Sequence, residues 1–454
     1  MFNFIEADRD QPYLLPPSLQ EWLPENHLAW FVLDAVDQMD TRPFFKRFRE
    51  DGRGGAAFEP TLMVSLLLYA YCVGERSSRQ IERLCETDVA FRVIAVNLKP
   101  DHATTARFRR NHRKELNALF VEILRLCKEA GLVKMGTVAL DGTKIKANAA
   151  LDANRTHDGL EEEVAKMLSE AESKDSEEDA IHGARRGDEL PEELRGRESR
   201  LARLKECRDR LKREAEAKAE EQAQKIRERE AEEKASGEKM RGRKPTPPDP
   251  TPAPEAKANV TDPESRIMKT RSGYLQGYNA QAAVTEEQII VAAEVTQEAN
   301  DVRQLQPMMT SIRETAAAAG IRDRVGALVA DAGYWSEQNA QPDGRVKTEF
   351  LIATMKDWKQ REAMRNLPPP VGRIPMIATL QDRMERKLRT KRGRELYRKR
   401  GRTVEPVFGQ IKDARKIDRF LLRGHSGAAL EWKLICGAHN LLKMWRNRET
   451  INLN

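Results

Sequence analysis

Cysteine is scarce. Five residues in 454, Cys72, Cys85, Cys127, Cys207 and Cys436, lie scattered with no C-x-x-C pair among them. That pattern excludes a zinc ribbon and a disulfide-stapled secreted scaffold. Long apolar runs are also missing. The longest, Leu62 to Val73, has about a dozen residues, short of the roughly 18–20 that cross a bilayer. The first residues, Met1-Phe-Asn-Phe-Ile-Glu-Ala-Asp8, carry acids and no basic leader, so they do not read as a signal peptide. The expectation is a reducing, aqueous compartment, the cytoplasm, with no membrane partner. Aromatic residues are absent from all of 151–259, which excludes an ordinary packed domain there.

What is present is charge. Lys and Arg number 79 against 72 Asp and Glu, a net +7, and 33% of the chain is charged while only 39% is hydrophobic. A chain of this length allows about two or three domains, but it is too polar for uniform packing. The polarity concentrates in 151–259, where Glu, Lys, Arg and Ala dominate and Pro245 to Pro254 forms a proline-rich tract. Leu201, Leu204 and Leu211 give barely two heptads of seam, short of the roughly three or four that argue a coiled coil. This stretch reads as a charged, helical to disordered insertion and linker.

On either side the patterns differ. Residues 1–130 read as a helical domain of short segments joined by turns. One segment carries Arg107, Arg109, Arg110 and Arg113. Two readings stand side by side: a helix-turn-helix DNA-binding unit, or a bundle whose basic residues merely face water. Residues 131–150 and 260–454 read as one α/β domain. Strand signals occur at 136–142, at 277–284 and 288–295 as a hairpin, at 325–331 and at 348–354, with a helix over 301–319.

Two strands end on an aspartate with glycine close behind, Asp141-Gly142 and Asp331-Ala-Gly333. Ligands of open α/β sheets gather at such carboxyl ends. For either acid alone, ordinary turn chemistry is the simpler reading. A third acid changes the balance. Val404, Val407, Phe408 and Ile411 form an apolar helix face, with Pro406 in the first turn and Thr403 as N-cap. Glu405 and Lys412 share a bordering face two turns apart. That pair could be a plain surface pair, or Glu405 could complete a metal site with Asp141 and Asp331. Three carboxylates without a His or Cys cluster favour Mg²⁺ or Mn²⁺, and two such ions suit in-line attack on a phosphodiester. From Gln381 to Arg402 there are eleven Lys and Arg against three acids, a local excess larger than the net +7 of the whole chain. Such one-signed density fits a phosphate-backbone footprint.

The motifs together resemble the DDE transposases of bacterial insertion sequences, in the branch with an InsH-like N-terminal region. They are Leu140-Asp141-Gly-Thr-Lys-Ile-Lys-Ala-Asn148, Thr261-Asp-Pro-Glu-Ser-Arg266, Gly277-Tyr-Asn-Ala-Gln281, Ala330-Asp-Ala-Gly-Tyr334 and Val404-Glu-Pro-Val-Phe-Gly409. Glu59-Pro60 and Thr105-Ala-Arg-Phe-Arg109 extend the likeness into the N-terminal part. The resemblance implies a ribonuclease H-like core, a mixed sheet flanked by helices, with Asp141, Asp331 and Glu405 as catalytic and metal-binding triad. It implies double-stranded DNA as partner, both terminal inverted repeats and target, and a homodimer or higher assembly in the active complex. A Tyr-Arg-Glu-Lys signature maps onto Tyr397, Arg400, Glu405 and Lys412. Four residues separate Arg400 from Glu405 where the pattern has three, so Arg402 is an alternative to Arg400. Arg392 and Arg394 join the DNA-contacting set. The rivals are a structure-specific nuclease on the same fold and a non-catalytic helix-turn-helix DNA-binding protein.

Overall fold

The computed structural model describes residues 18–48, 56–167, 169, 192–237, 239, 245–270, 273–341, 348–355 and 358–451. The N-terminal part is helical: α1 (Leu28–Asp37), α2 (Arg42–Phe45), α3 (Pro60–Cys72), α4 (Ser78–Thr87), α5 (Val89–Ile94), α6 (His102–Asn111) and α7 (Arg113–Glu129). Pro60 starts α3 at a position where the missing N–H costs nothing. From Met63 to Cys72 every residue of α3 is buried. A helix apolar all round has no face to give to water.

Then come β1 (Thr137–Lys146), β2 (Asn154–Thr156), α8 over 157–167, α9 (Glu192–Ser236), β3 (Lys257–Asn259), β4 (Arg266–Thr270), β5 (Gly273–Thr285) and β6 (Ile290–Thr296). The chain continues through α10 (Leu305–Ala318), β7 (Ala327–Ala330), α11 (Glu337–Ala340), β8 (Glu349–Ile352), α12 (Trp358–Asn366), α13 (Leu380–Arg389), α14 (Lys391–Gly409) and α15 (His425–Ile451).

The main sheet runs β4-β5-β1-β7-β8, with β6 also paired to β5. β5 is antiparallel to β1, β4 and β6, whereas β1, β7 and β8 are parallel. This is the expected mixed sheet. The parallel strand β7 is buried at all four residues, as a strand covered on both faces must be. The expected hairpin is β5–β6, closed by Gln288 N–H donating to the Thr285 carbonyl at 2.9 Å.

One hydrophobic core joins the N-terminal helices to the sheet, from Leu28 to Met444, and takes none of the described residues of 151–259. The insertion has a small core of its own, built by Leu160, Val164, Leu204, Cys207, Leu211 and Ala258. The leucine seam of α9 therefore packs on α8 and β3.

Two local readings change. Asp141 lies inside β1, because that strand continues to Lys146 against β5. Its ladder with β7 does stop at Leu140↔Ala330, so Asp141 and Asp331 are the next residues in that register. Helix α14 begins twelve residues before Thr403, N-capped by Thr390. Pro406 is thus internal, and the carbonyl it cannot serve, that of Arg402, instead accepts from Gln288 Nε2 at 2.9 Å.

Candidate active site

The sheet register sets Asp141 beside Asp331, and α14 brings Glu405 to them from the far end of the chain. Gly142 N–H donates to Asp141 Oδ1 at 2.9 Å, and Gly333 N–H donates to Asp331 Oδ1 at 2.8 Å. Both carboxylates are aimed by the backbone that follows them. Arg400 spans the first and third acids, with Nη2 2.6 Å from Asp141 Oδ2 and Nη1 3.1 Å from Glu405 Oε1. Its side chain is only 13% exposed, like the 14% of Asp141, whereas Glu405 is 60% exposed. Arg402 is exposed, and Arg400 is the arginine that reaches the acids.

Burial pushes the Asp141 carboxyl up to about 7, the Arg400 guanidinium works against that, and the neighbouring Asp331 and Asp301 push the same way as burial. Asp301 is the acid that the sequence reading missed, because it was absorbed into a helix over 301–319. The helix starts only at Leu305, and Asp301 stands in the preceding turn. Its Oδ1 accepts from Asn279 Nδ2 and from Gln281 Nε2, each at 2.7 Å. The signal available was the Tyr-Asn-Ala-Gln motif, whose amides had no partner in the triad.

The donor set suits a hard divalent cation. Every candidate ligand is a carboxylate oxygen, Gly333 leaves the space between Asp331 and Asp301 open, and Gly142 leaves room for the Gln281 amide. A Cβ on Gly142 would run into Gln281 and lie 2.6 Å from Asp301 Oδ1. One on Gly333 would lie 2.9 Å from Asp331 Oδ1 and 3.1 Å from Asp301 Oδ2. Among the described residues no three His, Cys, Asp or Glu side chains are gathered closely enough to hold a metal ion as they stand; Arg400 occupies the gap between Asp141 and Glu405.

A cleft of about 750 Å³ opens beside these groups, with Arg389, Arg394, Tyr397 and Arg398 on its walls. Arg394 donates to the Leu367 carbonyl, and Arg392 pairs with Glu349 at 3.1 Å. Lys412 is largely buried, and its Nζ donates to the Lys144 carbonyl at 2.9 Å. It faces the backbone of β1.

The basic N-terminal segment divides. Arg107 and Arg110 are exposed on α6, and Arg113 is exposed with one contact to Ser426 Oγ at 3.2 Å. Arg109 is a correction. It is 6% exposed, donates to the Arg76 carbonyl at 2.8 Å and to Ser78 Oγ, and is therefore used up in joining α6 to the start of α4. A residue three helical positions from an exposed one can share its face, but Arg109 is two from Arg107 and so points inward with Phe108. Among the described residues no helix is long and apolar enough to cross a membrane.

Comparison with known families adds a second line of observation. Residues 246–441 match the family described as transposase DDE domain, and residues 17–111 match one described as a transposase domain. The first match takes in Asp331, Arg400, Glu405 and Lys412. Asp141 precedes it in the chain. No curated protein and no solved structure matches.

Proposed function

This chain belongs to the DDE transposases, and we propose that it binds the terminal inverted repeats of its insertion sequence, cuts the strand at the element end and joins the freed 3′-hydroxyl to target DNA. Each step exchanges one P–O bond for another. Water attacks the end phosphodiester and the 3′-oxygen leaves; that hydroxyl then attacks a target phosphodiester and a target 3′-oxygen leaves. No covalent protein–DNA bond is needed.

Asp141, Asp331 and Glu405 would hold two divalent cations, Mg²⁺ or Mn²⁺, whose chemistry is to activate the attacking oxygen and stabilise the leaving one. The chain supplies positioning. The Gly142 and Gly333 N–H groups fix the two aspartates, and Arg400 keeps Glu405 in reach of Asp141. The single observation that carries this reading is that Arg400 bridges the first and third acids while the register sets the second beside the first.

Arg107, Arg110 and Arg113 supply the end-reading surface, whether or not their helices dock as a helix-turn-helix. Arg392, Arg394, Tyr397 and Arg402 lie along the basic α13–α14 segment that tracks the phosphates. Two copies or more would hold two ends and a target together.

Asp141→Asn, Asp331→Asn and Glu405→Gln are each expected to abolish Mg²⁺-dependent cleavage of end DNA with binding largely kept, read by gel cleavage and by titration of labelled ends. Near-normal cleavage in any of the three would remove that residue from the triad.

A further inference from the structure

The Gly277-Tyr-Asn-Ala-Gln281 motif supplies no acid to the triad, and its two amides, backed by Tyr334 of the Asp331 motif, converge on one further side chain. Asn279 and Gln281 of β5 donate to Asp301 Oδ1. Both amides are buried, at 1% and 0% exposed. Tyr334, from the Ala-Asp-Ala-Gly-Tyr motif, donates its hydroxyl to Gln281 Oε1. That bond leaves the Gln281 amide nitrogen as the group turned to Asp301. Three buried polar side chains are thus committed to fixing one carboxylate oxygen.

The other oxygen lies towards Asp331. Asp301 Oδ2 and Asp331 Oδ1 converge on the space over Gly333, at 3.1 and 2.9 Å from the position its Cβ would take. Asp301 Oδ1 stands 2.6 Å from the corresponding point on Gly142, next to Asp141. The partners that fix Asp301 are neutral amides, and the nearby Arg303 pairs with Glu221 instead, at 2.7 Å. Among the described residues, Arg400 is the cation seen bridging the acids, and it touches Asp141 and Glu405 only. Gathering like charges without neutralising them is unfavourable unless a cation completes the set.

We infer that Asp301 is a fourth carboxylate of the metal site, offering Oδ2 towards the cation held by Asp331 and Asp141 while Asn279, Gln281 and Tyr334 hold it in place. The inference rests on the metal-dependent reading above, and Asn279, Gln281 and Tyr334 are positioning residues in it.

The test is Mn²⁺ binding by the full chain without DNA, followed by the loss of the free-ion electron paramagnetic signal. Asp301→Asn and Asp331→Asn are each expected to weaken Mn²⁺ by about 10–100-fold, and Asn279→Ala by less. Unchanged affinity in a folded Asp301→Asn, with weakening in Asp331→Asn, would overturn the inference and leave the metal reading standing. Absence of Mn²⁺ binding by the unaltered chain would overturn both. A second measurement needs no variant. Fe²⁺ with ascorbate and peroxide should cut the unaltered backbone near 301 as well as near 141 and 331; cuts near 141 and 331 alone would count against Asp301.

Discussion

Arg76 and Arg210 are both buried arginines that fasten a peripheral element to the sheet domain, and they do so by different means. Arg76, between α3 and α4, pairs at 2.5 Å with Glu431 of α15, which is wholly buried and also accepts the Leu421 and Leu422 N–H groups at 2.8 Å. Arg210, on the insertion helix α9, donates to the backbone carbonyls of Pro263, Ser265 and Lys257, and its ion pair with Glu214 of the same helix is 3.4 Å long. The N-terminal helices are joined through a shared apolar core with a buried charge pair inside it. The insertion rests on the domain through backbone hydrogen bonds and surface pairs such as Arg303–Glu221. The first join makes two regions fold as one. The second lets a region come and go without disturbing its host.

The largest effect should come from breaking the first join. Glu431→Ala strands the Arg76 guanidinium in the core and should cost about 3–5 kcal/mol of global stability, measured by chemical denaturation. The double change Arg76→Met with Glu431→Leu should recover most of it. A loss under 1 kcal/mol for the single variant would mean that the two regions are not one cooperative unit.

Next in size is the core of the insertion. Leu204 is fully buried there, so Leu204→Ala should cost about 2–5 kcal/mol of local stability. Hydrogen exchange in α9 should quicken while the main denaturation midpoint stays put. For the same reason, replacing 155–255 by a short linker should leave a folded core, since none of the described residues there enters it. A shift of the main transition in either protein would erase the distinction between the two joins.

The most gradual effect is in acid. Burial holds the His439 imidazole down to about 3, so that it stays neutral in the folded core with its ring nitrogen on the Gln288 carbonyl at 3.0 Å. The unfolded chain takes up this proton below about 6.5 and the folded chain does not, so stability is complete above that pH and falls as pH drops towards 3. The slope should reach about 1.4 kcal/mol per pH unit, and His439→Gln should remove it. Denaturation midpoints at pH 7, 6, 5 and 4 decide this, and they should shift together for the N-terminal helices and the sheet.

Much of this was legible in the residue order. A stretch without aromatics had to lie outside the main core. The apolar run at 327–330 had to be a buried strand, and the polar turn at 285–288 had to reverse the chain into a hairpin. Three of the five motifs carry the candidate acids Asp141, Asp331 and Glu405, because each keeps its chemistry within a few neighbouring residues. Lys412 was set on the Glu405 face by helical spacing alone. The turn of π-helix at Gln410–Ala414 interrupts that spacing, and a backbone carbonyl of β1 receives the lysine.

The sequence by itself determined the family resemblance, the five strands β1, β5, β6, β7 and β8 and which segment stays apart, because composition and local pattern act over short distances along the chain; the edge strand β4 and the β2–β3 pair came from the structure. Only the tertiary structure decided that Arg109 is buried while Arg107 is free, since that depends on where α4 lies against α6. It also decided that Arg400 rather than Arg402 spans the acids, because α14 starts at Lys391 and turns that side chain to β1. Asp301 enters the site for the same kind of reason: amides from β5 and the turn before α10 meet across a sheet, and no spacing along the chain encodes that meeting.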